Sequence, residues 1–277
     1  MVAVRRRLVP MVMAGMLLAA GCQSGDTPGV PSPLTPPAGP PPSSSVPPPP
    51  ETVTSVPSPA AARPVVMLDP GHNGANARDR AAINRQVPAG RGRTKPCNTT
   101  GTSTDDGYPE HAFTFDVAHR VGDLLTARGI RVGYTRQDDN GIGPCVDARA
   151  AAGNEAAATA VVSIHADGST AKSAHGFHIA YSDPPLNVAQ GEPSSRLAVA
   201  LRDGLLSAGF AVSSYIGQSG LSPRDDLAGL NLSERPAALV ECGNMRNPAE
   251  AAAMSTPSGR QRYADAIAAS VQHYLVG

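Results

Sequence analysis

The sequence predicts an α/β fold, a single-domain three-layer sandwich in which a mainly parallel, mixed sheet is flanked by helices. Three observations carry that reading. Short apolar runs recur at residues 65–68, 130–135, 160–164 and 237–241, each stopped by Gly, Pro, Asp or Asn. Helical stretches lie between them, at 109–127, 147–158, 194–208 and 261–275. The connections are long enough for crossovers, which favours parallel pairing of consecutive strands.

The elements follow in order. Val65, Val66, Met67 and Leu68 form a buried strand that Asp69-Pro70-Gly71 halts, leaving His72 and Asn73-Gly74 just past its end. Residues 75–108 read as an irregular, functional loop lying near His72, pinned by Cys97. Pro109 and Glu110 suit the first turn of a helix, where proline is tolerated and a carboxylate meets the helix dipole. Phe113, Val117, Val121 and Leu124 then repeat at helical spacing. A strand at 160–164 ends in His165-Ala166-Asp167-Gly168. Residues 176–181 read as a strand at a sheet edge, followed by an amphipathic helix carrying Leu197, Leu201 and Leu205. An extended segment at 226–231 precedes the last strand, which ends at Glu241. Asn247 caps a short helix, and the terminal helix packs Ile267 and Val271 inward.

Composition bounds the rest. The chain has 277 residues with 23 acidic and 23 basic side chains, so the formal charge is zero. With no basic stripe and no repeat, nucleic acid is excluded as a partner. The absence of Trp, with only four Phe, argues against an aromatic carbohydrate-stacking module. Arg5, Arg6 and Arg7 followed by a short apolar run define residues 1–21 as an export signal, too short to span a bilayer. The Pro/Ser-rich stretch 22–63 has too few large apolar groups to fold and reads as a tether. Residues 64–277 remain as the globular domain. Outside the cytoplasm, Cys97 and Cys145, both in Gly/Pro/Asn-rich loops, are free to form a disulfide, whereas Cys242 continues an apolar strand as a small buried hydrophobe.

Three strands thus end in a functional group, at His72, His165 and Glu241, and parallel strands deliver all three to one sheet edge. A helix starting at that edge adds Glu110. Two histidines and one carboxylate are the donor set of a catalytic zinc, with a second carboxylate outside the metal as general base. His111, His119, His175 and His178 compete as ligands, and His178 is the best spare. Arg136 and Arg149 either bind substrate carboxylates or pair with Asp138 and Asp147, and the structural reading is preferred.

The phrases Leu68-Asp69-Pro70-Gly71-His72-Asn73-Gly74, Ser163-Ile164-His165-Ala166-Asp167 and Leu239-Val240-Glu241-Cys242-Gly243-Asn244 resemble the zinc-dependent N-acetylmuramoyl-L-alanine amidases of the Amidase_3 family. So do Gly129-Ile130-Arg131-Val132-Gly133-Tyr134-Thr135-Arg136 and a glutamate opening the helix before Phe113. The resemblance implies His72, Glu110 and His165 as ligands of one zinc, Glu241 as catalytic acid/base, and peptidoglycan or muropeptides as substrate. The bond cleaved would join N-acetylmuramic acid to L-alanine of the stem peptide. His111 departs from the lysine the family usually has after the glutamate. The polar 75–109 insertion resembles an actinobacterial type with a substrate-side loop, and Ala19-Ala20-Gly21-Cys22 resembles a lipobox. These imply a monomeric, extracytoplasmic lipoprotein anchored to the membrane through Cys22, or failing lipidation a secreted or periplasmic enzyme. The rivals are another extracytoplasmic zinc amidohydrolase or carboxypeptidase, and an inactive wall-binding lipoprotein.

Overall fold

The structure, a computed structural model, describes Gly39 and residues 63–277. The expected signal segment, Cys22 and the tether, apart from Gly39 and Arg63, lie outside the described residues. Strand β1 (Val65–Pro70) is followed by helix α1 (Arg80–Asn84), strands β2 (Gln86–Pro88) and β3 (Thr94–Pro96), and helix α2 (Glu110–Ala127). Next come β4 (Arg131–Tyr134), α3 (Val146–Glu155), β5 (Ala160–Asp167), β6 (His178–Ser182) and α4 (Glu192–Ser207). The chain closes with β7 (Leu221–Arg224), α5 (Ala228–Asn231), β8 (Ala237–Asn244), α6 (Pro248–Ser255) and α7 (Pro257–Val276).

The main sheet runs β4-β1-β5-β8-β6-β7. Its first four strands are mutually parallel, β6 is antiparallel to β8, and β7 is parallel to β6. Because side chains alternate along a strand, each strand serves two cores. Val66, Leu68, Val162, Ile164, Ala238 and Val240 face α2, α4 and α7 in the larger one. Phe113, Val117, Val121 and Leu125, one turn apart on α2, are fully buried there, as are Leu197, Leu201 and Leu205 on α4. Each such side chain contributes roughly 1.5–3 kcal/mol by leaving water. Met67, Val161 and Leu239 point the other way, into a smaller core under α3 and α5. His165 and Glu241 share that second face, so the short helices on this side leave the ends of β5 and β8 accessible.

Three expectations change. The strand expected at an edge, β6, lies inside the sheet between β8 and β7. The segment expected to extend over 226–231 instead carries the helical turn of α5, and the extended piece is β7, slightly earlier. Ser222 and Pro223 gave β7 no strand signature. The 75–108 stretch is not structureless: it holds a 3₁₀ turn at Asn76–Arg78, α1, and an antiparallel β2–β3 pair. Its alternation is hidden by prolines and arginines, and its turn relies on positive φ at Gly90, Arg91 and Gly92. No helix among the described residues is long and apolar enough to cross a membrane.

Candidate metal centre

The loop after β1 sets the first functional side chain. Gly71 N still donates to Ile164 O at 3.0 Å, so pairing with β5 persists one residue beyond the strand. The backbone then reverses through His72 at φ 59°. A left-handed non-glycine residue costs about 1–3 kcal/mol and persists only when its surroundings hold it. Gly71 is a glycine for a steric reason, since a Cβ there would collide with the His165 ring.

His72 Nδ1 lies 3.1 Å from the Thr99 carbonyl oxygen. A carbonyl only accepts, so Nδ1 carries the proton and Nε2 is turned toward the site. Nε2 stands 3.1 Å from Glu110 Oε1, and His165 Nδ1 stands 3.0 Å from the same oxygen. The two imidazoles meet edge to face with centroids 4.9 Å apart. Glu110 projects from the first turn of α2 and is held by backbone donors: Thr102 N to Oε2 at 2.9 Å and Ala166 N to Oε1 at 3.1 Å. One atom from each of His72, Glu110 and His165 falls within 4.8 Å of the others, the sole such group among the described residues.

The electrostatics suit a bound cation. Burial works to raise the Glu110 pKa, but the charge of His72 and hydrogen bonds from both histidines outweigh it and hold the carboxyl below its usual range. Burial disfavours a charged His72, yet the Glu110 carboxylate beside it raises the imidazole pKa. With Nδ1 committed to Thr99, the Nε2 lone pair would face a carboxylate oxygen unless a proton or a metal lay between them. Two imidazoles and one carboxylate, oriented by outer partners, fit Zn²⁺.

Glu241 is placed differently. It pairs in register with His165 on the adjacent strand, so it stands beside the donor set without joining it. Its Oε2 is buried and has no hydrogen-bond partner among the described residues. Burial, then the negative charges of Glu110 and Asp167, push its pKa well above the ordinary value, with Arg224 opposing. A cleft of about 250 Å³ opens over the centre, lined also by Thr100, Thr102, Asp167 and Gly168. Tyr215 donates to Asp167 Oδ2 at 2.9 Å, fixing that carboxylate on the rim.

The competing histidines lie outside the donor group. His178 faces Glu241 across the β6–β8 pair but does not converge with the donors, and burial lowers its pKa to about 4. His111 Nδ1 bonds Asp139 at 2.6 Å, His175 Nδ1 lies 2.9 Å from Ser173 O, and His119 stacks on Tyr134 with centroids 4.5 Å apart. Cys97 and Cys145 are joined, with Cα atoms 4.4 Å apart, and Cys242 is free and buried.

Arg136 and Arg149, both buried, make ion pairs, but their acidic partners are not Asp138 and Asp147. Arg136 pairs with Asp139 at 2.9 Å and Arg149 with Asp69 at 2.8 Å. Sequence adjacency suggested the wrong carboxylates because both arginines point back at the His72 loop. Thr99, Thr102 and Tyr215 escaped the sequence reading. The first two act through backbone atoms, which carry no residue signature, and Tyr215 lies in a loop without periodicity.

Residues 66–273 match the family described as N-acetylmuramoyl-L-alanine amidase, Amidase_3. The chain belongs to that family. It is 50% identical over 228 residues to the N-acetylmuramoyl-L-alanine amidase Rv3717 of Mycobacterium tuberculosis, covering 80% of this chain and 93% of that protein. The crystal structure of the N-acetylmuramyl-L-alanine amidase Ami1 from Mycobacterium smegmatis superposes with a TM-score of 0.75 at 55% identity, over 77% of this chain and 97% of that one. Ami1 from Mycobacterium abscessus, solved in its apo form, gives 0.74 at 52% identity, over 78% of this chain and 100% of that one. These three relatives are mycobacterial, and the family match runs from within β1 into α7.

Proposed function

We propose that this chain is a zinc-dependent peptidoglycan amidase that hydrolyses the bond between the lactyl group of N-acetylmuramic acid and L-alanine of the stem peptide. The carrying observation is the division of labour among four side chains: His72, Glu110 and His165 converge on one point, while Glu241 stands beside that point with an unpartnered oxygen. One zinc ion held by the three donors would supply Lewis acidity to the amide carbonyl and to the attacking water.

The chain's own residues do the rest. Glu241 Oε2 accepts the proton of the attacking water and returns it to the departing alanine nitrogen. Its Oε2, buried and without a hydrogen-bond partner among the described residues, is free to take that proton. Thr99 keeps His72 in one tautomer, and the Thr102 and Ala166 amides hold the Glu110 carboxylate in place. The cleft over the centre, lined by Thr102, Asp167 and Gly168 among others, would receive the scissile amide.

Residues 1–21 then serve as an export signal and Cys22 as the lipidated end of a 22–63 tether. This arrangement holds the domain, as a monomer, against the wall from the outer face of the cell membrane. The chemical test uses purified muropeptides and mass analysis of the products. Release of the intact stem peptide with a free L-alanine amine is expected. Release of a terminal amino acid alone would assign a carboxypeptidase instead.

A further inference from the structure

We infer that Arg136 and Arg149 form a two-guanidinium clamp on three successive carbonyls of the His72 loop, and that they are positioning residues for the metal ligand rather than simple fold-stabilising ion pairs. This rests on the reading of His72, Glu110 and His165 as a zinc site.

Both side chains are almost completely buried, at 1% and 5% exposure. Pro70 O receives Arg136 Nε at 3.0 Å and Arg149 Nη1 at 2.7 Å. Gly71 O receives Arg136 Nη2 at 3.3 Å and the Thr114 hydroxyl at 2.8 Å. His72 O receives Arg149 Nη2 at 2.8 Å. Two buried cations set side by side are unfavourable unless strong acceptors compensate them, so their concentration on one short loop demands a reason. The loop supplies one. His72 sits at positive φ, a conformation that persists only when its surroundings hold it, and Arg149 holds its carbonyl.

Each guanidinium also joins the loop to another part of the site. Arg136 Nη2 donates to His111 O at 2.8 Å, in the first turn of the helix that carries Glu110. The same fork therefore fixes the spacing of two of the three donors. Arg149 Nε donates to Pro144 O at 3.0 Å, next to the Cys97–Cys145 bridge. That bridge lies two residues from Thr99, whose carbonyl orients the His72 ring. A planar fork with five donors can make these contacts at once, whereas a lysine ammonium cannot.

The test is zinc affinity by chelator competition on the full chain, together with the visible spectrum of the Co²⁺-substituted protein. Arg136→Lys and Arg149→Lys are each expected to weaken zinc binding on the order of 10–100-fold, the usual effect of removing outer partners of a ligand. Both are expected to shift the cobalt bands, which report ligand geometry directly. Thr114→Val, an uncharged near-isostere that removes one of the two donors to Gly71 O, should weaken zinc binding in the same direction and decides the matter if the arginine variants do not fold. Parental zinc affinity and cobalt bands in the folded variants, with only a lowered melting temperature, would overturn the clamp. A parent protein that binds no zinc would instead overturn the metal reading beneath it.

Discussion

The His72 imidazole is held from behind by Thr99, whose carbonyl oxygen lies 3.1 Å from Nδ1 across 27 residues of sequence. Thr99 sits two residues after Cys97. Cys97 is bridged to Cys145, and its carbonyl also receives Val146 N at 2.9 Å. The disulfide therefore tethers the segment that sets the tautomer of His72.

Removing that bridge should act on stability and on metal together. A closed loop of 48 residues stabilises by about 4 kcal/mol on the chain-entropy model, with about 2–4 typical. A Cys97→Ser, Cys145→Ser protein should lose a stability of that order in urea unfolding. It should also release zinc to a chelator more readily than the parent. Unchanged zinc retention would confine the bridge to a stabilising role.

Gly71→Ala tests close packing at the centre. A methyl at this position would collide with the His165 ring, which cannot recede without leaving Glu110. The expected outcome is a folded protein whose zinc affinity falls by at least about tenfold, measured by metal analysis after dialysis. A fully zinc-loaded Gly71→Ala protein would show that His165 is free to shift.

Asp69 makes the fold pH-sensitive at the acid end. Burial would raise its pKa, but Arg149 and hydrogen bonds from Ser163 and Thr135 outweigh that and lower it from 3.8 to about 2. A depressed carboxylate contributes stability that is present above its unfolded pKa and lost as pH falls through the folded one. The contribution is on the order of 2 kcal/mol at neutral pH. Asp69→Asn should therefore be less stable than the parent at pH 7, with the gap closing between about pH 4 and pH 2. Urea unfolding across that range would contradict the assignment if the gap stayed constant.

Much of the site was legible because it lies at strand ends. The apolar runs before His165 and Glu241 fix both side chains on one sheet face, and their in-register pairing follows from parallel neighbours. Glu110 was legible as a first-turn acid. The scaffold behind these residues was not. Thr99 and Thr102 contribute backbone atoms, and Arg136 and Arg149 bind carbonyls at the end of β1 that only the crossover topology brings near. β7 and α5 were misplaced for a related reason. Short elements with prolines and polar residues take their conformation from tertiary pairing rather than from their own periodicity. His178, the spare candidate, faces Glu241 across a strand pair without converging with the donors.

The division of labour between the donor set and Glu241 is the central claim. Its most direct measurement is the zinc content per chain of a Glu241→Gln protein, read beside its turnover of muropeptide. The account predicts one zinc per chain, as in the parent, with turnover lowered by roughly 10²–10⁴-fold. Loss of zinc from Glu241→Gln, or near-parental turnover by the zinc-loaded variant, would contradict it.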